Sequence, residues 1–219
     1  MTLDATLDAP PRHVVVLCHP ASDSFNAAVA ARYCAAVAEC GQVAVLRDLY
    51  RMEFDPIMRA SDQPGAADFA PCPRVAEERA LIADATVVVF VYPIWFGTPP
   101  AMLKGYVERV FGADVAWPAA RAPGSRSRLA GKHLLSLTSS GNSRVWLDEQ
   151  GQWQSLIAVF DHYLRRAFAM ASAQHVHFPS IIPGLNDRFF AQNMAEVGDA
   201  ARKACRMATD AQKPPIRLA

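Results

Sequence analysis

The segment VVVFVYPIWFGTPPAMLKGYVERVF, Val87 to Phe111, decides the fold. It opens on a β-branched apolar run without alternation, the pattern of a strand buried on both faces. It closes with Met102, Leu103, Tyr106, Val107 and Val110 at helical spacing behind Thr98-Pro99-Pro100, which predicts an amphipathic helix over Pro99 to Phe111. Between them lie Tyr92, Pro93, Ile94, Trp95, Phe96 and Gly97. Large apolar rings on a connecting loop are there to meet something.

The same strand-then-helix rhythm runs outward in both directions. Upstream, HVVVL (His13 to Leu17) reads as a doubly buried strand, and Ser24 as the cap of a helix through Cys40 that Gly41 ends. Gln42 to Leu46 is a second strand. Asp48 to Arg74, rich in Pro, Asp, Ala and Gly, is an irregular excursion, and Arg74 to Ala83 a helix before strand three, Thr86 to Val91. Downstream come a long loop from Gly112 to Gly131, strand four (Lys132 to Thr138), a helix from Gln154 to Met170, strand five (Gln174 to Phe178) and a closing helix from Asn186 to Met207. Five alternations predict one α/β domain over residues 1–219, a five-stranded parallel sheet with helices on both faces, behind a loose tail of residues 1–11.

Composition narrows the function classes. With 219 residues, 52% apolar and 20% charged, the chain has ample material for a core. A net charge of +1 argues against a nucleic-acid partner, and the basic piece from Arg121 to Arg128 reads as a solvated loop. The five cysteines (Cys18, Cys34, Cys40, Cys72, Cys205) are scattered without a C-x-x-C, predicting reduced thiols and no metal site, with Cys18 a small core residue. The start carries acids and prolines rather than a secretory signal, and no apolar run reaches membrane-span length. A cytoplasmic protein without membrane insertion is expected.

Ligands of such sheets bind beyond the carboxyl ends of the strands, where strand order reverses. After strand one, HPASDSFN feeds a helix N-terminus, a seat for phosphate, with His19, Ser24 and Asn26 as side-chain donors; an ordinary cap beside a surface histidine is the alternative. Neither G-x-x-x-x-G-K-[ST] nor G-x-G-x-x-G follows this strand, which disfavours a nucleotide-hydrolysing loop and a dinucleotide site. After strand three, Pro93, Ile94, Trp95 and Phe96 offer flat apolar walls and backbone amides for a planar ring; a hydrophobic plug or a subunit contact is the alternative. After strand four, Thr138, Ser139, Ser140 and Gly141 make a small polar loop that lets backbone approach a ligand edge, or simply a turn. Together the three loops describe a seat for a flavin mononucleotide-like ligand.

On HPASDSFN, YPIWFGTPPAMLKGYVERVF and TSSG, from about Val14 to Arg206, the sequence resembles the flavodoxin-like NAD(P)H:quinone oxidoreductases and their bacterial relatives, which include ancillary subunits of potassium efflux systems. The resemblance implies a flavodoxin-like α/β fold. It implies FMN or FAD with His19, Ser24, Phe25 and Asn26 around the phosphate and ribityl end. Pro93, Ile94, Trp95 and Phe96 would hold the isoalloxazine, and Thr138, Ser139, Ser140 and Gly141 its other edge. It further implies a homodimer with sites at the interface, where Trp117 could roof a pocket, and ping-pong transfer of a hydride from NAD(P)H through the flavin to a quinone-like acceptor.

Two departures from that pattern stand in the sequence. The mammalian-type enzymes carry one more residue between the proline and the tryptophan of the shelf. They also carry a tyrosine and a histidine beyond the strand-four loop, proposed to relay charge, where this chain reads RVWLDEQGQW. That relay has no counterpart here, and no catalytic side chain is assigned: the cofactor carries the chemistry. His162, His175 and His177 read as structural, and Lys104, Glu108 and Arg109 as an exposed face or helix pairs. A pure electron carrier or a regulatory flavoprotein is the rival class; carriers are typically acidic, so a net charge of +1 speaks against a carrier, while a regulatory subunit of a membrane channel stays open and need not exclude activity. A reductase of azo or nitro compounds differs only in acceptor.

Overall fold

The computed structural model describes residues 9–64, 66–114 and 127–212. Most of the expected tail, the loop holding Trp117 and most of the basic piece after Arg121 lie outside the described residues. Five strands form one parallel sheet in the order β2-β1-β3-β4-β5: β1 Arg12–Leu17, β2 Val43–Asp48, β3 Val87–Pro93, β4 His133–Ser139 and β5 Ser172–Phe178. Successive side chains of a strand point to opposite faces. Val14 and Val16 of β1, Val88, Phe90 and Tyr92 of β3 and Leu134 of β4 therefore share one core layer. Val15, Leu17, Val87, Val89, Val91, Leu135 and Leu137 share the other. Both layers are apolar because both faces are covered, which is why these strands lack alternation in the sequence.

One layer packs beneath α1 (Phe25–Glu39) and the long α7 (Asp187–Gln212). The other is covered by α2 (Pro73–Asp84), α3 (Ala101–Tyr106), and the helical run after β4. Ser24 caps α1 by accepting from the Ala27 N–H at 3.2 Å, and Gly41 follows the helix at φ +72°, where glycine is favoured. Asn186 caps α7 through the Arg188 N–H at 2.8 Å.

Three expectations need correction. The helix expected over Pro99 to Phe111 begins at Ala101 and widens into a π-turn at Val107–Phe111. Arg109, expected on an exposed face, is buried there. Its Nη1 donates to the Asp55 carbonyl at 2.5 Å and its Nε lies 3.1 Å from Asp62 Oδ2, a charge contact without hydrogen-bond alignment. The excursion after β2 lies across this helix, and a Cβ on Gly105 would come within 2.3 Å of the Pro56 carbonyl oxygen. That close approach gives the physical reason for glycine in the L-K-G element.

The helix expected over Gln154 to Met170 is α5 (Gln152–Leu156), a second π-turn (Ile157–His162) and α6 (Tyr163–Ala167). Ahead of it stands α4 (Arg144–Glu149), which periodicity missed because it spans only six residues, with Ser143 as its cap.

Buried charge ties the second face together. The Glu78 carboxylate of α2 accepts from Arg47 of β2 and from the Tyr106 hydroxyl of α3, the latter at 3.0 Å. Among the described residues the cysteines are free, Cys18 is fully buried, and burial pushes its thiol up to about 12. No described helix is long and apolar enough to cross a membrane.

Candidate active site

Strand order reverses between β1 and β3, and the carboxyl ends of the strands open into a cavity of about 490 Å³. Its lining joins four loops that are far apart in sequence. His19, Ser24, Phe25 and Asn26 come from the loop after β1, Pro93, Ile94 and Trp95 from that after β3, and Ser139, Ser140 and Gly141 from that after β4. The fourth wall is the β5–α7 connection, Ile181 to Leu185, with Phe190 of α7. Sequence reasoning missed this wall. Its signal is IIPGL (Ile181 to Leu185), two residues beyond the end of β5, in the same post-strand position that marked the other three loops.

Local hydrogen bonds decide what each residue can offer. The His19 Nδ1 accepts from the backbone N–H of Ala21 at 3.0 Å, which leaves Nε2 as the donor. The Asn26 side-chain oxygen accepts from the Ser139 hydroxyl at 3.0 Å, so its amide N–H groups remain to donate. The first N–H groups of α1 have no partner within the helix and carry the positive end of its dipole. Ile94 N–H donates to the Ser139 carbonyl at 2.8 Å, continuing the β3–β4 pairing past the last strand residue and fixing the shelf against the polar loop.

The apolar wall is built of rings in contact. His19 lies against Trp95 at 5.9 Å between centroids, and Phe25 packs edge-on to both Phe178 and Phe190. Trp95 is 39% exposed and half-roofs the cavity. This donor set on one side and flat apolar walls on the other fit a planar, phosphate-bearing group, and the volume falls within the usual range of small-molecule pockets, about 300–1,000 Å³.

Two expected residues do not line the cavity. Phe96 is fully exposed at the tip of a tight turn closed by paired hydrogen bonds between Trp95 and Thr98, and its φ of +51° lies in the left-handed region. This tight turn carries its ring outward, away from the cavity. Thr138 is fully buried one layer below, its hydroxyl between His175 Nε2 at 2.7 Å and His177 Nδ1 at 2.9 Å. These histidines, read as structural from sequence, stand directly beneath the polar loop. Burial, the neighbouring His175 and the Arg144 charge lower His177 to about 4.

Comparison with known proteins agrees with this architecture. The family model described as Flavodoxin-like fold matches residues 11–204. A curated relative, NAD(P)H dehydrogenase (quinone) 1 of Cavia porcellus, is 30% identical over 62% of this chain and 55% of its own length. The chain spans about half the length of the curated relatives it matches. Among solved structures, an NAD(P)H:quinone oxidoreductase from Methanothermobacter marburgensis superposes with a TM-score of 0.75 at 25% identity, covering 89% of this chain and 96% of its own. An FMN-dependent NADH-azoreductase from Bacillus anthracis, solved with FMN, shares the fold with a TM-score of 0.67 at 16% identity over 88% of this chain and 99% of its own. With a match that spans nearly the whole sheet and its helices, the chain belongs to the Flavodoxin-like fold family.

Proposed function

We propose that the cavity seats a flavin, FMN or FAD, and that the protein is an NAD(P)H-dependent oxidoreductase passing two electrons to a quinone-like acceptor. One observation carries the reading. A single cavity at the switch point sets the start of α1, with Asn26 and His19, against the apolar walls of Trp95, Ile94 and Ile181. The names of the quinone-reducing relatives support the same chemistry.

When bound, a flavin accepts a hydride and gives it back. The chain's own residues do the rest. The N–H groups opening α1 and the Asn26 amide bind and orient the phosphate end. The backbone of Ser139 to Gly141 borders the polar edge, and Trp95 with the isoleucines excludes water from the open face. No second nucleotide fingerprint follows any strand, so donor and acceptor use the same open side in turn.

Initial rates at several quinone concentrations test this. Parallel double-reciprocal lines, with high quinone competing against NAD(P)H, are expected. Intersecting lines with a ternary complex of oxidised nucleotide and quinone analogue would mean separate sites. A flavin-loaded protein that oxidises no NAD(P)H with any quinone would favour the carrier or regulatory reading.

A homodimer belongs to the same proposal. Val145 of α4, Val159 of the second π-turn and Tyr163 of α6 are exposed large apolar side chains on the helical run after β4. Sedimentation velocity of the flavin-loaded protein is expected to show two chains, and a monomer at micromolar concentration would overturn this part.

A further inference from the structure

Beneath the polar loop, five side chains form a continuous, partly buried chain of hydrogen bonds that the proposed function does not use. Asp161 Oδ2 meets His175 Nδ1 at 2.5 Å, and His175 Nε2 meets the Thr138 hydroxyl at 2.7 Å. The Thr138 hydroxyl meets His177 Nδ1 at 2.9 Å, and His177 Nε2 meets the Ser140 hydroxyl at 3.1 Å. Ser140 lines the cavity. The sheet register builds this chain: Ser136 pairs with His175 and Thr138 with His177 across β4 and β5, so alternate side chains of two neighbouring strands interdigitate. The second π-turn brings Asp161 to the far end, where its other oxygen accepts from Ser136 at 2.6 Å.

We propose that Ser140, His177, Thr138, His175 and Asp161 are a proton wire that gives one proton to the cavity and takes one back as the charge of the cavity's occupant changes. The proposal rests on the flavin reading and deepens it. The donor and acceptor inventory allows two fully bonded states of the wire.

In the first, His175 carries both ring protons beside the Asp161 carboxylate. His175 Nε2–H donates to Thr138, Thr138 to His177 Nδ1, and His177 Nε2–H to Ser140, whose hydroxyl donates to the Asn142 carbonyl at 2.9 Å. In the second state His175 has one proton, held on Nδ1 toward Asp161, and every other bond is reversed. Ser140 donates to His177 Nε2, His177 Nδ1–H to Thr138, and Thr138 to His175 Nε2. The Asn142 carbonyl keeps the Ser180 N–H at 3.0 Å, so nothing is orphaned. The states differ by one proton, lost at Ser140 and drawn from His175, with each O–H or N–H bond broken replaced by one formed.

The balance fits the proposed reaction. A hydride from NAD(P)H brings two electrons and one proton, adding one negative charge to the cavity. Reduction of a quinone to the hydroquinone takes that hydride and one further proton. The wire supplies this proton, and solvent restores it through the open cavity once product has left.

The groups facing the wire cover much of it and surround its charge. Trp153 of α5 packs on His175 at 4.7 Å and on His177 at 5.1 Å, with the Arg144 guanidinium of α4 stacked behind it at 3.8 Å. Asp148 of α4 adds a negative charge on the His177 side. The Tyr92 hydroxyl of β3 is buried beside Ser136 and Asp161 without a well-formed hydrogen bond, and burial with the Asp161 charge holds it well above its ordinary value. His177 stays neutral in both states, in keeping with its lowered pKa.

Long-range nitrogen-15 NMR of the ring nitrogens tests the wire. In FMN-loaded protein, reduction by dithionite should remove the second proton from His175 and move the His177 proton from Nε2 to Nδ1. Thr138→Val should abolish this linked change, and Thr138→Ser should restore it. Histidines unchanged between oxidised and reduced FMN-loaded protein would overturn the wire while leaving the flavin reading intact. In flavin-free protein, Thr138→Val should free the His177 tautomer that the Thr138 hydroxyl fixes, and Thr138→Ser should restore it. A His177 tautomer indifferent to the Thr138 hydroxyl would overturn the wire even if FMN fails to bind, an outcome that would separately sink the flavin reading.

Discussion

Trp95 and Asn26 stand on opposite sides of the cavity and should fail in different ways. Trp95→Ala removes a wall that is already 39% exposed, so what it loses is stacking and ligand burial rather than core packing. About 1–3 kcal/mol is expected from such a ring, which weakens flavin affinity roughly 5–150-fold in an equilibrium titration. An affinity unchanged by the substitution would return Trp95 to the role of a surface plug. Asn26→Asp keeps an oxygen for the Ser139 hydroxyl but sets a negative charge at the start of α1. FMN should then bind at least about tenfold more weakly, a loss of about 1.4 kcal/mol, while riboflavin, which lacks the phosphate, loses much less. Equal losses for both ligands would show that the phosphate sits elsewhere. His177 supplies the pH dependence. Its folded value of about 4 lies below that of an unfolded histidine, so the unfolded chain binds the extra proton between them. The stability due to neutral His177 is whole above the unfolded value and is lost as pH falls toward the folded one. Urea midpoints measured from pH 7 down to pH 4 should decline in wild type and decline less in His177→Gln.

At the scale of elements, the buried Glu78 carboxylate joins α2 to β2 and α3. Glu78→Ala leaves the buried Tyr106 hydroxyl without its acceptor and half-buried Arg47 with the more exposed Glu77 as its remaining partner. A loss of about 1–3 kcal/mol in chemical unfolding is expected, the cost of leaving a buried hydrogen-bonding group unsatisfied. A loss under about 0.5 kcal/mol would show that the contact contributes no more than a surface pair. How far each element was legible follows from its physics. Strands β1, β3 and β4 were plain because both faces are covered, which leaves uninterrupted apolar runs. The cap at Ser24 and the stop at Gly41 were plain because each has a local chemical cause. The six residues of α4 were not, since fewer than two turns carry no measurable period. The π-turns were not either, and with the first of them went the burial of Arg109, because a widened turn rotates side chains away from the spacing that a regular helix predicts. His175 and His177 read as structural for a similar reason: their partners Thr138 and Asp161 reach them only through strand register and a π-turn, which one strand alone does not display.

At the scale of the whole molecule, the sheet order matters most, because it gathers the loops after β1, β3, β4 and β5 at one edge. Most of the residues expected from three of those loops meet in the cavity. The exceptions are Phe96, turned outward by a short turn, and Thr138, one layer below. The fourth wall was overlooked because IIPGL carries no polar signature, although its position after a strand pointed to it. The central claim is that this gathered edge seats one flavin per chain. Equilibrium titration of the purified protein with FMN and with FAD, followed by flavin absorbance and by Trp95-dependent fluorescence quenching, tests it most directly. The account predicts saturation at one flavin per chain with at least one of the two, and weaker binding in the Trp95→Ala protein. No bound absorbance and no quenching with either flavin would contradict it.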